Sequence, residues 1–359
     1  MRPNNTYLES LFTLIRLGIG NSAGFFLETY DWVKIQTLAN AQGVNAVVLD
    51  GTERLPELQR PPKVFLLEWI GETLQRYEYR YEQYRQAIAE LAGFYNSRDF
   101  KMMVLKGYAC GIDWPRPEHR PCGDIDIWLF GQQKKADSVL AKEKRVKIDS
   151  SHHHHTVFYW HDFMVENHYD FVNTHDYKSS KDLEVVFKEL GKDDSFTTEV
   201  YGEKIYLPSP NLHALFLIRH LTAHFASTSV TLRQVLDWAF FVEKHTKEID
   251  WKWLNGTIEK FRMKDFINCI NAICVEDLGF DSYIFYNIQF SPSLKDRILR
   301  DIIEPEFGIE EPRHLIPRLS FKYKRWRSNA WKRALCYEES GMEAFWSNFK
   351  AHILKPLSI

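Results

Sequence analysis

Apolar residues recur three and four positions apart through the first hundred residues, the spacing of one face of an α-helix. The stretch NTYLESLFTLIRLGI (residues 5–19) pairs an Asn/Thr cap signal with that period. GFFLETYDWVKIQTLANAQG (24–43) repeats it and ends on glycine. After RPPK a longer stripe follows: Leu67, Ile70, Leu74, Tyr77, Tyr81, Tyr84, Ile88 and Leu91. It predicts one continuous helix packed within its own chain. A seam between subunits is the alternative, and so much tyrosine suits a zipper poorly.

From residue 101 the period shortens. Met102 to Leu105 and the run DIDIWL (124–129) read as short buried strands. TVFYW (156–160) and FMVENHYDF (163–171) flank the dipeptide His161-Asp162, a hairpin pattern. Between them GQQKKADSVLAKEKR (131–145) predicts a charged surface helix. Helical spacing returns after LPSP (207–210), in NLHALFLIRHLTAHFAS, TLRQVLDWAFFVEKH and the segment 251–280. The pattern thus divides into a helical region 1–100, a small sheet-containing unit 101–205 and a second helical region 206–359, which is an α+β fold.

The candidate chemistry lies in the middle unit. Residues i and i+2 of a strand share a face, so Asp124 and Asp126 project together while Ile125 and Ile127 point into a core. Two adjacent carboxylates repel, and a divalent cation such as Mg²⁺ or Mn²⁺ relieves that repulsion. On the hairpin, Glu166, His168 and Asp170 also share one face. One of these acids completes a three-carboxylate cluster, or the face is the ordinary polar side of a sheet; periodicity leaves the two even. Same-face residues lie about 6.6 Å apart along a strand, so Glu166 and Asp170, four positions apart, do not both ligate one small cation. LKGYACG (105–111) places Lys106 and Gly107 just after a strand, but it is no Walker loop. His220 and His224 lie one helical turn apart, as do Arg233 and Asp237. The HExxH pattern is absent, so His224, Arg233 and Asp237 are expected to line a cleft or lock two helices, with packing favoured for His220 and Asp237. The run His152–His155 could bind a metal or be a tag remnant; being internal and short, it is expected instead to be loop leading into the hairpin.

The order of these motifs, VLKGYACGIDWPRPEHRPCGDIDIWL, then VENHYDF, then LPSPNLHALFLIRHLTAHFASTSVTLRQVLDWAFFV, resembles the uncharacterised nucleotidyltransferase family of the DNA polymerase β-like superfamily. The resemblance runs from about residue 20 to 245. It implies a small mixed-sheet nucleotidyltransferase core flanked by helices, acting on an NTP with Mg²⁺ or Mn²⁺. Position by position, Asp124 and Asp126 become the metal pair and Glu166 the third acid, as a metal ligand or the base for the attacking hydroxyl. His168 is that acid's companion histidine. Lys106 and Gly107 stand at the turn that in the wider superfamily is a phosphate-contacting Gly-Ser; here Tyr108 follows the glycine. Arg120 is a phosphate contact or a structural bridge to the aspartates, and His224 and Arg233 are further candidates on the nucleotide side. The implied reaction moves a nucleotidyl group from the NTP to an acceptor and releases pyrophosphate. The acceptor stays open: a small molecule, a sugar or a protein, with a nucleic-acid end less favoured. A catalytically silent nucleotide-binding or interaction module of the same fold is the alternative, and the missing Gly-Ser speaks for it.

Composition adds limits. The net charge of −2 excludes nucleic-acid binding by bulk electrostatics. Five cysteines without CxxC spacing imply no disulfide framework, so a soluble cytoplasmic protein with no membrane segment is expected. The segment 313–337 carries eight Lys/Arg and no acid. It reads as a solvated cationic helix or a polyanion contact.

Overall fold

The helical spacing of the first hundred residues becomes α1 (Thr6–Gly18), α2 (Trp32–Ala41), α3 (Asn45–Glu53), α4 (Lys63–Thr73) and α5 (Tyr79–Asn96). They belong to a computed structural model that describes residues 6–22, 30–175, 177–307 and 315–339, with Pro312 and Glu343. The second expected helix is shorter than its pattern. Asp31 caps α2 by accepting the backbone N–H of Lys34 at 3.2 Å, and residues 24–29 of the pattern lie outside the described residues. α3, which the pattern did not single out, lies against α1 with backbone nearly touching backbone. A Cβ on Gly51 would fall inside the carbonyl oxygen of Leu14, and one on Gly18 inside that of Val47.

The expected long helix is continuous through α4 and α5 but carries a π-turn at Leu74–Glu78. The wider turn rotates the upstream half. The buried line there is Trp69, Thr73 and Tyr77, continuing to Tyr84, Ile88 and Leu91. Leu67 and Leu74, placed on the buried stripe by a uniform helical period, are 58% and 49% exposed.

The middle unit is a six-stranded mixed sheet. Its strands are β1 (Met103–Val104), β2 (Ile125–Trp128), β3 (His155–Trp160), β4 (Phe163–His168), β5 (Thr197–Val200) and β6 (Glu203–Tyr206), in the order β3-β4-β2-β1-β6-β5. The short helix α6 (Tyr108–Gly111) follows β1, α7 (Gln133–Lys144) follows β2 and α8 (Ser179–Leu190) follows β4. β3 and β4 form the expected antiparallel hairpin. The β5–β6 hairpin was not expected from the pattern. Its turn, Tyr201-Gly202, has φ of +50° and +80°, both in the left-handed region that matches the twist of paired strands. β2 runs parallel to β4 with Asp126 opposite Glu166.

The sheet has two unlike faces. Val104, Ile125, Ile127, Phe163, Val165 and Ile205 join α5 and the Ala136/Leu140 side of α7 in one apolar cluster. The charged helix α7 therefore has a packed face as well as a solvated one. The other face, bearing Met103, Trp128 and Tyr206, belongs to a larger cluster shared with α1–α3 and with α9 (Pro210–Ser227), α10 (Leu232–His245), α11 (Trp251–Lys260) and α12 (Lys264–Glu276). α11 and α12 divide the 251–280 segment at Arg262, whose φ is +55°. α13 (Pro292–Ile303), α14 (Leu315–Ser328) and α15 (Ala330–Cys336) follow. The basic segment is not uniformly solvated: Lys332 is buried on Asp301 at 2.5 Å and Arg333 is buried as well.

Gly51→Ala is expected to lower the unfolding free energy by about 1–3 kcal/mol, because the obstructing atom is backbone and cannot rotate away. Gly71→Ala, where a Cβ meets nothing within 4 Å, is the control and leaves the midpoint of thermal unfolding unchanged or raises it. Equal midpoints for the two variants would refute the close α1–α3 packing.

Candidate active site

Alternation along β2 sends Ile125 and Ile127 to the α5 side and Asp126 to the side of α9 and α10. Asp126 is completely buried. Asp124, just before the strand, is 34% exposed at its side chain. The residue opposite Asp126 on β4 is Glu166, and His168 lies two further along. Ligand atoms of Asp126, Glu166 and His168 all fall within 4.8 Å of one another. Asp170 is elsewhere: its carboxylate pairs with Lys188 at 3.0 Å.

Cations stand between these acids. The Lys106 ammonium is 2.9 Å from Asp126 Oδ1 and 3.8 Å from Asp124 Oδ2. His168 Nε2 is 3.1 Å from Asp126 Oδ1 and 3.6 Å from Glu166 Oε2. Burial works against the charge on Lys106, but Asp126, Asp124 and Glu166 outweigh it and hold the ammonium above its usual range. Burial likewise opposes the imidazolium of His168, yet its bonds to Asp126 and Glu166 push its pKa up to about 9. Glu166 is held below the ordinary carboxylate range: burial alone would raise it, and His168 and Lys106 reverse that. Asp126 Oδ2 is buried with no hydrogen-bond partner.

Lys106 owes its place to the turn after β1. Gly107 has φ of +61°, and the hydroxyl of Tyr84 lies against its α-carbon, donating to the Asp124 carbonyl at 2.9 Å. A side chain at 107 would meet that hydroxyl.

Asp124 and Asp126 open onto a cavity of about 150 Å³, lined also by Lys106 and Gly107 from the sheet unit and by His220, His224 and Arg233 from α9 and α10. Arg120 also lines it, but it does not bridge Asp124 and Asp126. Its guanidinium grips Asp237 on α10 with two bonds, 2.7 and 2.9 Å, and Trp114 donates to the same carboxylate at 2.9 Å. The chain turns at Pro121 between Arg120 and the aspartates, and Arg120 bonds the Pro121 carbonyl at 3.1 Å. Asp237 has the packing role expected of it. Arg233, one turn earlier on α10, makes no ion pair among the described residues; burial and the neighbouring Arg120 disfavour its charge. His224 is held down to about 4 by burial and Lys106, and His220 is displaced the same way.

The histidine run is more than loop. His155 is the first residue of β3, buried and paired across the hairpin with His168. Its Nε2 is 3.9 Å from Glu166 Oε1. Burial first, then His168, hold His155 down to about 3 and His154 to about 2. Strand parity could have flagged His155, since it shares a face with Val157 and Tyr159; without the hairpin register nothing linked it to Glu166.

Asp126 and Glu166 are hard carboxylate donors of the kind that Mg²⁺ or Mn²⁺ takes, Asp124 shares the Lys106 ammonium beside them, and one buried oxygen, Asp126 Oδ2, lacks a partner.

The sequence pattern of the family described as uncharacterised nucleotidyltransferase matches residues 28–279, and the chain belongs to that family. No curated protein and no solved structure matches the chain. No helix among the described residues is long and apolar enough to cross a membrane.

Two outcomes are expected. Asp237→Ala leaves Arg120 buried without its counter-charge and lowers stability by about 3–5 kcal/mol in urea unfolding; a loss below about 1 kcal/mol would mean that the guanidinium finds another anion. Stability also has a maximum near neutrality. His213, buried on α9, and His224 are each held down to about 4 in the fold, chiefly by burial, and take up protons only on unfolding as pH falls below 6.5, which destabilises the acid side by up to about 1.4 kcal/mol per unit and group. His168, raised to about 9, contributes stability that is complete below 6.5 and lost as pH rises from 6.5 through 9. Urea midpoints at pH 5, 7 and 9 check both limbs, and His224→Gln should flatten the acid one.

Proposed function

We propose that this member of the uncharacterised nucleotidyltransferase family transfers a nucleotidyl group from an NTP to an acceptor hydroxyl in the cleft between the sheet and α9–α10. The observation that carries the reading is the buried Asp126 with Glu166 beside it, where Asp126 and Asp124 line a cavity that Arg233 also lines. In the reaction, the acceptor hydroxyl oxygen bonds the α-phosphorus and releases its proton to solvent, while the bond to pyrophosphate breaks and the pyrophosphate leaves with the electron pair. When bound at the three carboxylates, Mg²⁺ or Mn²⁺ supplies charge neutralisation and polarisation of the phosphate.

The chain's own groups have separable tasks. Asp126, Glu166 and Asp124 offer ligand oxygens. Glu166, held more acidic than usual, suits a ligand better than a base. Lys106 neutralises the acids before substrate arrives and is placed to move onto a phosphate oxygen. Arg233 takes the far end of the triphosphate, and His224 borders the same wall. Arg120 is a positioning residue: by holding Asp237 it fixes α10, and hence Arg233, against the sheet. Positioning and charge neutralisation are what phosphoryl-type transfer demands most of a protein.

A second reading, nucleotide binding without turnover, draws on one specific observation. Lys106 and His168 already balance Asp126, so the folded chain does not need a cation there for its own stability.

The two readings part in one experiment. The protein is incubated with each common NTP, Mg²⁺ or Mn²⁺ and a panel of small-molecule, sugar and protein acceptors, and is followed by pyrophosphate release and product mass. Transfer is expected, with losses of 100-fold or more in Asp126→Asn and Glu166→Gln and little change in Asp170→Asn. Arg233→Ala should raise the KM for NTP by about tenfold or more, the loss of one charged contact of about 1.5–3 kcal/mol. Metal-dependent NTP binding by calorimetry without pyrophosphate release would favour the silent module. No binding would overturn both.

A further inference from the structure

Beside Glu166, on residues that do not line the cavity, the hairpin gathers imidazoles. His155 and His168 are direct partners across β3 and β4, with ring centroids 5.3 Å apart. His154 lies 4.4 Å from His155 and 5.6 Å from His168 by the same measure. One nitrogen from each of the three falls within 4.8 Å of the others. The backbone holds them there: the His154 carbonyl accepts the N–H groups of both Tyr169 and Asp170 at 3.0 Å.

Two further features mark the cluster. The Nδ1 atoms of His154 and His155 are buried with no hydrogen-bond partner. A buried ring nitrogen left unbonded is costly, and a metal ion is one means of satisfying it. His168 is already oriented from both ends, with Nε2 facing Asp126 and Nδ1 3.2 Å from the Asp170 carbonyl. Whichever nitrogen binds a metal, the other has a carboxylate or carbonyl behind it, the outer-shell support that metal-binding histidines use.

We propose that His154, His155 and His168 form a binding site for one divalent transition-metal ion of the zinc type, distinct from the carboxylate site and joined to it through His168. Three imidazole ligands favour Zn²⁺ or Co²⁺ over Mg²⁺, which prefers oxygen, and His168 gives up one ring proton when the dication takes over its positive charge. Glu166 Oε1 lies 3.9 Å from His155 Nε2, so a water, or a Glu166 oxygen shared with the carboxylate site, completes the shell. Metal–nitrogen bonds of about 2.0–2.1 Å require the three rings to close in by small side-chain rotations, with no change of strand register. The inference does not depend on nucleotidyl transfer, since the site needs only the hairpin.

The test uses the full chain, purified with chelator and titrated with Co²⁺ alone and then with Zn²⁺. The expected result is one equivalent of Co²⁺ giving the visible absorption of a nitrogen-ligated, low-coordinate ion, displaced by Zn²⁺ and not by millimolar Mg²⁺. The His154→Ala/His155→Ala variant should bind Co²⁺ at least 100-fold more weakly, while Asp124→Asn binds as the parent does. Zinc-edge absorption spectroscopy of the unaltered protein is independent of whether the double variant folds, and should show scattering from three imidazoles. Unchanged affinity in a folded double variant, ready displacement by Mg²⁺, or fewer than two imidazoles at the zinc would each overturn the proposal.

Discussion

A carboxylate sealed from solvent must be neutralised where it stands or give up its charge, and Asp126 is such a carboxylate. Lys106 at 2.9 Å and His168 at 3.1 Å neutralise it from two different strands' ends. Much of the local architecture serves that pairing. The glycine turn at 107 brings Lys106 back over β2, and Tyr84 braces the turn from α5. The parallel pairing of β2 with β4 delivers His168 together with Glu166. Broken at any one point, the arrangement would leave a buried anion short of its counter-charge, which is among the more destabilising changes a core can suffer.

The second constraint joins the sheet unit to the C-terminal helices. Arg120 and Asp237, far apart in sequence, form a buried two-pronged pair that Trp114 reinforces. Such a pair offers directional specificity more than net stability, because both charges give up hydration to make it. Its direction matters here. It sets one wall of the cavity, α10 with Arg233, opposite the wall that carries the acids. The long helix reaches both apolar clusters: its π-turn lets one helix bury Trp69 in the larger cluster upstream and Tyr84 on the sheet's other face downstream.

Several features were legible along the chain and others were not, for identifiable reasons. DIDIWL declared its two faces, because period-two alternation is a local property. The hairpin around His161-Asp162 was equally visible. Leu67 and Leu74 misled, since a uniform helical period cannot register a single wider turn. The β5–β6 hairpin went unread because its strands are short and largely polar; the Tyr-Gly turn was its one clear signal. Within the run His152–His155 no periodicity distinguishes the member that enters a strand, so nothing local ties His155 to Glu166.

By itself the sequence determined which residues are chemically able to act and, within each strand, which of them share a face. The amino-acid order specified Asp124 with Asp126 and Glu166 with His168, along with the helices that flank them. Only the tertiary structure decided who meets whom. The register of β2 against β4 set Glu166 opposite Asp126, and that register depends on the packing of Ile125, Ile127 and Val165 onto α5 rather than on the acids. It also gave Arg120 to Asp237, turned Lys106 onto the aspartates and gathered the histidines beside Glu166. Alternation is fixed by the geometry of one chain segment, whereas register and long-range pairing are fixed by the fit between segments, and that fit exists only once the core has formed.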